Sequence, residues 1–341
     1  MEVIQLDTDR LEKAIKRSND LINSSFPKII EIQTQSFCNG NCIVCPYKSL
    51  NIKPTRMNDK VLNKLLDEIA NHKDEVERVI PYLNNEPSFD KRMIKILRKI
   101  RKSNITVEVS TNISNWKLED LDTIIDEDLI QDFRVSFFGH NKKLYEELMT
   151  GLNFEQNVEK VRYLLNANRK ANNKLDIELI VVLLPTLNAE EIKEGLDELF
   201  DKPKVHFFGF LDRCGKVKIM KNDLAKTDSM EVIGCSLNRP YERCCIYSNG
   251  DVVLCSQDWE HEVIIGNINE NTIEEVWNSD KAKQIRRIVL GKEKCPKNFL
   301  CNRCKLAILK DNNKKILNFN GDKYMTSSDE KLVGKNGNIS N

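Results

Sequence analysis

Residues 30–47 read IEIQTQSFCNGNCIVCPY, a short apolar strand followed by a loop that carries Cys38, Cys42 and Cys45. The spacing is C-x3-C-x2-C, so one loop supplies three thiolate ligands. A structural zinc ion or a fully ligated four-iron cluster takes four protein ligands, whereas three thiolates leave one iron of a [4Fe–4S] cluster open to a small molecule. The pattern favours the open four-iron cluster, and a zinc loop with its fourth ligand elsewhere is the alternative.

Strand and helix signals alternate from this segment onward. The predicted strands cover 29–34, 78–83, 105–110, 133–138, 176–183 and 204–210, and the predicted helices cover about 58–71, 90–103, 118–127, 154–168 and 188–200. Repeated βα units imply a parallel sheet with right-handed crossovers, either open or curled into a barrel. Such folds build active sites at the carboxyl ends of their strands, where the cysteine loop lies.

Composition excludes several classes of function. The chain has 341 residues, and 53 Lys and Arg against 52 Asp and Glu give a net charge of +1. Bulk nucleic-acid binding is not expected, because no global basic field exists to hold a phosphate backbone. No apolar run is long enough to span a bilayer, and the first twenty residues lack the apolar core of a secretory signal. We therefore expect no membrane association and a cytoplasmic location.

The eleven cysteines are clustered along the chain. Three lie within 38–45 and seven lie between 235 and 304. An odd number of clustered thiols in a chain without a secretory signal argues against a disulfide scaffold. Thiolate-rich sites select zinc or iron–sulfur clusters, so the clustering predicts metal ligation.

The second cysteine group begins with C-x14-G-x4-C, formed by Cys235, Gly250 and Cys255, and ends with Cys301 and Cys304. Gly250 lies in a Ser-Asn-Gly-Asp turn that predicts a hairpin and places Cys255 near the hairpin base. Two separated pairs make four donors, which suits one fully ligated cluster. Three further thiols are alternative ligands at this site: Cys244, Cys245 and Cys295.

These patterns divide the chain into four parts. They are an N-terminal amphipathic helix over 1–27, a βα core over 28–225, a cysteine-rich domain over 226–310 and a flexible tail over 311–341. The tail is rich in Asn, Lys, Gly and Ser, so it buries too little apolar surface to offset chain entropy. Within the third part, short strands are predicted around 245–248 and 252–254, followed by a helix at about 272–289.

The cysteine loop after the first strand resembles the signature of the radical S-adenosylmethionine superfamily. The resemblance implies an α/β fold, a partial (β/α)6 TIM-like barrel open on one side. It also implies a [4Fe–4S] cluster on Cys38, Cys42 and Cys45 whose open iron binds S-adenosyl-L-methionine. In that family the cluster delivers an electron that generates a 5′-deoxyadenosyl radical, and a partner such as flavodoxin or ferredoxin donates that electron.

Further positions are similar to the family pattern. Residues 84–87 read Asn-Asn-Glu-Pro in place of a Gly-Gly-Glu-Pro turn, so Glu86 and Pro87 are expected to bind the cofactor. Asn replaces both glycines and is the residue that next best tolerates a positive φ. Asn112, at the end of the third strand, and Ser136, on the fourth, are expected beside the cofactor. No match exists for the Arg-Gly pair that meets the cofactor carboxylate in many relatives.

The cysteine-rich part resembles the auxiliary-cluster extensions called SPASM and twitch domains. Segments 265–268 (Ile-Gly-Asn-Ile) and 275–278 (Glu-Val-Trp-Asn) match sequence motifs that are characteristic of these domains. The shorter twitch form holds one auxiliary [4Fe–4S] cluster. The resemblance assigns its ligands to Cys235, Cys255, Cys301 and Cys304.

Over residues 28–306 the chain resembles the 2-deoxy-scyllo-inosamine dehydrogenases, which pair a short barrel with a one-cluster twitch domain. This implies hydrogen abstraction from a small carbohydrate or aminocyclitol, leading to oxidation or epimerisation. A related group returns a hydrogen atom from a thiol, and the candidate donors here are Cys214, Cys244 and Cys245, with Cys295 also unassigned. The alternative enzyme is a ribosomal-peptide maturase that oxidises, crosslinks or epimerises its substrate. The non-enzymatic alternative is a metal-stabilised binding module.

Overall fold

The computed structural model describes residues 8–219, 230–310 and 316–318. Six parallel strands alternate with helices, and each lies where the hydrophobic pattern predicts it. The strands are β1 Ile29–Ile32, β2 Arg78–Ile80, β3 Thr106–Thr111, β4 Asp132–Ser136, β5 Asp176–Leu183 and β6 Val205–Gly209. The helices are α1 Thr8–Leu21, α2 Asp59–Asn71, α3 Met93–Arg101, α4 Leu118–Asp126, α5 Lys142–Leu148, α6 Phe154–Lys170 and α7 Ala189–Phe200.

Local sequence explains why these helices form. In α2 the Asn58 side chain caps the first turn, and the buried face has three- and four-residue spacing: Leu62, Leu65, Leu66 and Ile69. Helix α5 is absent from the sequence-based prediction. It has seven residues, of which only Tyr145 and Leu148 are buried, so it is too short to show a helical period.

The second part of the chain adds more elements. Its strands are β7 Glu231–Cys235, β8 Arg243–Ile246, β9 Asp251–Val253, β10 Ile264–Asn267, β11 Ala307–Lys310 and β12 Ile316–Asn318. Its helices are α8 Arg239–Glu242, α9 Ile273–Asn278 and α10 Asp280–Val289. The large sheet runs β10-β9-β8-β1-β2-β3-β4-β5-β6, and β8 pairs parallel to β1. The fold is therefore a partial barrel whose sheet continues into the C-terminal part.

A second, three-stranded sheet has the order β12-β11-β7. Helix α1 packs on this layer, although the sequence places it next to β1. The Ser18 hydroxyl donates to Asn238 Oδ1 at 2.7 Å, and Arg17 forms an ion pair with Glu242. The N-terminal helix thus packs against the C-terminal part of the chain, at residues 238 and 242.

Three sequence-based boundaries differ from the structure or lie outside it. The single helix predicted at 272–289 is two helices, because Ser279 ends α9 and its side chain caps α10. The domain boundary near 225 lies in 220–229, outside the described residues. In the predicted flexible tail, Ile316–Asn318 pair with β11, which is a correction for those three residues, and the rest of 311–341 is not described. No helix in the described ranges is long and apolar enough to cross a membrane.

Candidate active site

The loop with three cysteines lies at the carboxyl end of β1. Its backbone is held by the chain that leaves α5. The Asn41 N–H donates to the Thr150 carbonyl at 2.7 Å, and the Ile43 N–H donates to the Leu148 carbonyl at 3.0 Å. The short helix that periodicity does not reveal therefore fixes the cysteine loop.

The thiols of Cys38, Cys42 and Cys45 line one large cavity. A Cβ at Gly40 would lie 3.4 Å from Cys42 Sγ and 3.8 Å from Cys38 Sγ, so the loop wraps the thiols around a glycine. Burial raises the pKa of Cys38 to about 12, and the nearby Glu86 carboxylate adds to the rise. Burial also raises the pKa of Cys42. Without a metal, these groups are held as thiols.

Glu86 is a buried acceptor beside this loop, only 2% exposed. The Asn112 N–H donates to Glu86 Oε2 at 2.8 Å, and the hydroxyls of Thr111 and Ser88 donate to Oε1. Burial raises the pKa of Glu86, although these donors oppose the rise. Asn112 Nδ2 also donates to Asn39 Oδ1 at 2.9 Å. The carboxylate is thereby tied to the cysteine loop.

The turn that precedes Glu86 has the conformation that the two asparagines permit. Asn84 has φ of +56°, and its Nδ2 donates to the Tyr247 hydroxyl at 2.7 Å. Pro87 is buried and begins a 3-10 turn over Pro87–Phe89, so it positions Glu86. Ser136, at the end of β4, lines the same cavity as the cysteines.

The large cavity has a volume of about 620 Å³. It is lined by the three cysteines, by Glu86, Asn112 and Ser136, and by side chains that no motif identified. Six of these are Glu31, Glu108, Arg134, Arg213, Trp259 and Lys305. Three of them, Glu31, Glu108 and Arg134, lie on strands. The sequence could have revealed these three, because a charged residue at an inward-facing position of a barrel strand is unusual. The others come from loops and carry no local signal.

Ion pairs line one side of this cavity. Arg134 Nη1 lies 2.8 Å from Glu108 Oε1, and Arg78 Nη1 lies 2.6 Å from Glu108 Oε2. Arg243 on β8 lies 2.8 Å from Glu31 on β1. Charged partners and hydrogen bonds offset the cost of burying these groups. The cavity consequently offers paired charged groups on one side within a lining that is otherwise largely apolar.

The second cysteine group surrounds a separate small cavity of about 20 Å³. The thiols that line it are those predicted as auxiliary ligands: Cys235, Cys255, Cys301 and Cys304. Gly250 forms the hairpin turn between β8 and β9 with φ of +93°, as the sequence predicts. Burial raises the pKa of Cys235 to about 12. Gln257 and Leu306 line both cavities, so the two sites share a wall.

The remaining cysteines lie apart from the large cavity. The Cys214 thiol contacts the Cys304 thiol, and this contact raises the pKa of Cys214 and lowers that of Cys304. Cys244 is buried in the main core and Cys245 in a smaller apolar cluster. Cys295 is half-buried and packs against the second core. Throughout the described chain, none of Cys214, Cys244, Cys245 and Cys295 lines the large cavity, and a hydrogen-donor role for them stays a prediction.

The two sets of thiols differ in a way that suits different clusters. Three thiols beside a buried carboxylate fit a four-iron cluster with an open iron, and four buried thiols fit a fully ligated one. Across the described ranges, no group of three or more His, Cys, Asp or Glu side chains is placed to hold a single metal ion.

Solved structures share this fold at low sequence identity. BtrN in complex with AdoMet and 2-DOIA is 18% identical, with a TM-score of 0.51 over 80% of this chain and 92% of BtrN. SuiB of Streptococcus suis, bound to its precursor peptide SuiA, is 18% identical, with a TM-score of 0.61 over 87% of this chain and 74% of SuiB. Native anSMEcpe with bound AdoMet is 17% identical, with a TM-score of 0.58 over 85% and 93% of the two chains.

Two family models match the chain, and no curated protein matches it. The model of the radical SAM superfamily matches residues 32–199, which contain the three-thiol loop, Glu86 and Asn112. The model of the SPASM iron–sulfur cluster-binding domain matches residues 235–305, which contain the second thiol group. The chain belongs to the radical S-adenosylmethionine superfamily, and its cofactors are S-adenosyl-L-methionine, the [4Fe–4S] cluster that binds it and an auxiliary [4Fe–4S] cluster in a SPASM domain.

Proposed function

We propose that this protein oxidises a small carbohydrate or aminocyclitol at a carbon that bears a hydroxyl group. The observation that carries the proposal is the 620 Å³ cavity, which joins the three-thiol loop, Glu86 and the wall shared with the auxiliary thiols. S-Adenosyl-L-methionine bound there supplies a 5′-deoxyadenosyl radical for hydrogen abstraction. The chain's own residues bind and orient the two reactants.

The residues predicted to bind the cofactor and the two clusters have the following places in this proposal. Glu86 accepts hydrogen bonds from the ammonium group of the cofactor, and Asn112 orients Glu86. Pro87 fixes the turn, and Ser136 lines the cavity beside them. The SAM-binding cluster is held by Cys38, Cys42 and Cys45. The auxiliary cluster is held by Cys235, Cys255, Cys301 and Cys304.

Two features support oxidation over epimerisation. After loss of a hydrogen atom, oxidation requires the substrate radical to lose one electron and its hydroxyl proton, which leaves a carbonyl. Gln257 and Leu306 line both the large cavity and the auxiliary cavity, so an auxiliary cluster bound by the second thiol group would be an electron acceptor next to the substrate. Epimerisation needs a thiol hydrogen donor in the cavity. In the described chain the cysteines that line the cavity are the three of the cluster loop.

The lining favours a small polar substrate. Glu31, Glu108, Arg134 and Arg243 offer charged hydrogen-bonding groups, and Trp259 offers an aromatic face for a ring. The aminocyclitol 2-DOIA in the BtrN complex supports this class. The peptides in the complexes of SuiB with SuiA and of anSMEcpe with Cp18Cys favour the second candidate, a peptide maturase.

The test is turnover by the anaerobically reconstituted protein with S-adenosyl-L-methionine, a one-electron reductant and a panel of deuterated sugars, aminocyclitols and peptides. We expect a carbonyl product two mass units lighter, one 5′-deoxyadenosine per product and transfer of deuterium into 5′-deoxyadenosine. The variant with Cys38, Cys42 and Cys45 all changed to Ala is the negative control. A product of unchanged mass with solvent deuterium at one carbon would establish epimerisation instead. A modified peptide beside untouched sugars would replace the substrate class.

A further inference from the structure

Three segments form the wall of the large cavity that faces the auxiliary thiols. The loop after β6 carries Arg213, and two segments of the SPASM domain carry Trp259 and Lys305. Arg213 Nη1 donates to Gln257 Oε1 at 3.4 Å, and Lys305 Nζ lies 5.3 Å from the ring centroid of Phe210. The same loop and the same SPASM segments therefore meet at one place on the cavity wall.

This wall presents donors that have no acceptor. Arg213 Nε and Trp259 Nε1 are both buried without a hydrogen-bond partner, and Trp259 is only 8% exposed. Within residues 8–219 and 230–310, neither Arg213 nor Lys305 forms a close ion pair with a carboxylate, although Arg213 is attracted by the carboxylate of its neighbour Asp212, which does not line the cavity. Native proteins pair nearly all buried donors, so an unpaired set on a cavity wall indicates a missing partner.

The carboxylates of the cavity cannot be that partner, because each is engaged elsewhere. Glu31 is paired with Arg243, and Glu108 is paired with Arg134. Glu86 accepts from the donors described above. The groups on the wall that remain free to bind a ligand are consequently hydrogen-bond donors, and two of them are positively charged. Its chemical complement is an oxyanion that accepts from a guanidinium, an indole N–H and an ammonium group.

We propose that the substrate carries a carboxylate or a phosphate group, and that Arg213, Trp259 and Lys305 bind this group. The proposal rests on the proposed function and narrows its substrate class to acidic or phosphorylated polyols. It also sets an orientation, because the anionic group lies on the SPASM side of the cavity. The carbon that loses hydrogen then faces the three-thiol loop.

Two other anions could meet these cations, and they lead to different outcomes. Arg213 interacts electrostatically with Cys45 and Cys214, so the charge of a cluster is one of them. The carboxylate of the cofactor is the other. If Arg213 and Lys305 stabilise the negative charge of a cluster, their removal changes the reduction potential of that cluster. If they serve the cofactor, their removal weakens cofactor binding.

The experiment is anaerobic calorimetric titration of the reconstituted protein, saturated with S-adenosyl-L-methionine, with glucose, glucuronate and glucose 6-phosphate. We expect at least one anionic probe to bind about tenfold or more tightly than glucose. The carboxylate and phosphate arms distinguish the two sources of charge. Arg213→Gln and Lys305→Met should each remove that preference, and Trp259→Phe should weaken it while keeping the ring. Arg98→Gln, at an exposed ion pair with Glu127, is the matched control and should leave it unchanged.

Several results would overturn the proposal. They are equal binding of all three probes, no measurable binding of either anionic probe at millimolar concentration, and an anion preference that survives in Arg213→Gln and Lys305→Met. An equal loss of cofactor affinity in these variants, or a shifted cluster potential with unchanged probe binding, would assign the cations to the cofactor or the clusters. Cofactor cleavage to 5′-deoxyadenosine is measured in parallel. Its absence from the wild type contradicts the proposed function, whereas the anion preference is read without turnover.

Discussion

The backbone N–H of Asn112 donates to Glu86 Oε2 over 2.8 Å, across the ends of the neighbouring strands β2 and β3. The side-chain amide of Asn112 reaches Asn39 in the cysteine loop at 2.9 Å. One residue therefore holds the carboxylate and the cluster loop in a fixed relation. An ammonium group placed between them meets an acceptor that is already oriented.

Glu86→Gln should weaken binding of S-adenosyl-L-methionine by about 10- to 100-fold, since a hydrogen bond to a charged group contributes about 1.5–3 kcal/mol. Iron content should stay at the wild-type value, because Glu86 ligates no iron in this proposal. Anaerobic calorimetry measures the affinity. Glu127→Gln, at an exposed carboxylate, is the control. Unchanged affinity in Glu86→Gln would remove Glu86 from the cofactor site.

Changing Cys38, Cys42 and Cys45 together to Ala should reduce the iron content from about eight to about four per chain, because the auxiliary thiols lie around a separate cavity. Cleavage of S-adenosyl-L-methionine should disappear. Iron analysis and chromatography of 5′-deoxyadenosine measure both. Cys244→Ala, at a buried thiol in the main core, should keep about eight irons. Zinc in place of iron in the wild type, or cleavage by the triple variant, contradicts the assignment.

Cys235→Ala should remove the auxiliary cluster and stop product formation, yet leave some uncoupled release of 5′-deoxyadenosine. The reason is that the three-thiol loop does not depend on the auxiliary ligands. Cys214→Ala is the informative comparison, because Cys214 contacts Cys304 but does not line the auxiliary cavity. It should retain about eight irons. Loss of about four irons from Cys214→Ala would make Cys214 a ligand.

Arg134→Met should lower the free energy of unfolding by roughly 1.5–3 kcal/mol, since it removes charge-assisted hydrogen bonds to two buried carboxylates that keep only Arg78 as a charged partner. Arg134 contacts both Glu108 and Asp132. Arg98→Met, at an exposed pair, should leave the free energy of unfolding close to the wild-type value. Denaturant unfolding monitored by circular dichroism compares them. Equal, small losses in the two variants would mean that solvent reaches the Arg134 network.

Strong periodic signals made most of the barrel predictable. The six strands are apolar runs between amphipathic helices. In both kinds of element the spacing of apolar residues along the sequence indicates which side chains are buried. Helix α5 carries too few buried residues for such a signal, and the break at Ser279 depends on a single side-chain cap. A seven-residue helix or a single capping residue changes the spacing of apolar residues too little to be recognised in the sequence.

The candidate site likewise contains residues that the sequence reveals and residues that only the fold brings together. The cysteines and Glu86 lie at fixed short spacings, so a sequence reveals them as a set. Arg213, Trp259 and Lys305 are brought together only when the loop after β6 packs against the SPASM domain. No spacing in the chain encodes that contact, and each residue alone is unremarkable in type.

Strand β1 is hydrogen-bonded to β2 on one edge and to β8 on the other, and the Glu31–Arg243 pair across the second edge joins residues 212 positions apart. During synthesis on the ribosome, that edge has no partner until the chain beyond Ile246 has emerged. An unpaired edge is a template for pairing with another chain. A nascent or truncated protein that ends before β8 would therefore carry its cysteine loop on a strand with one unpaired edge.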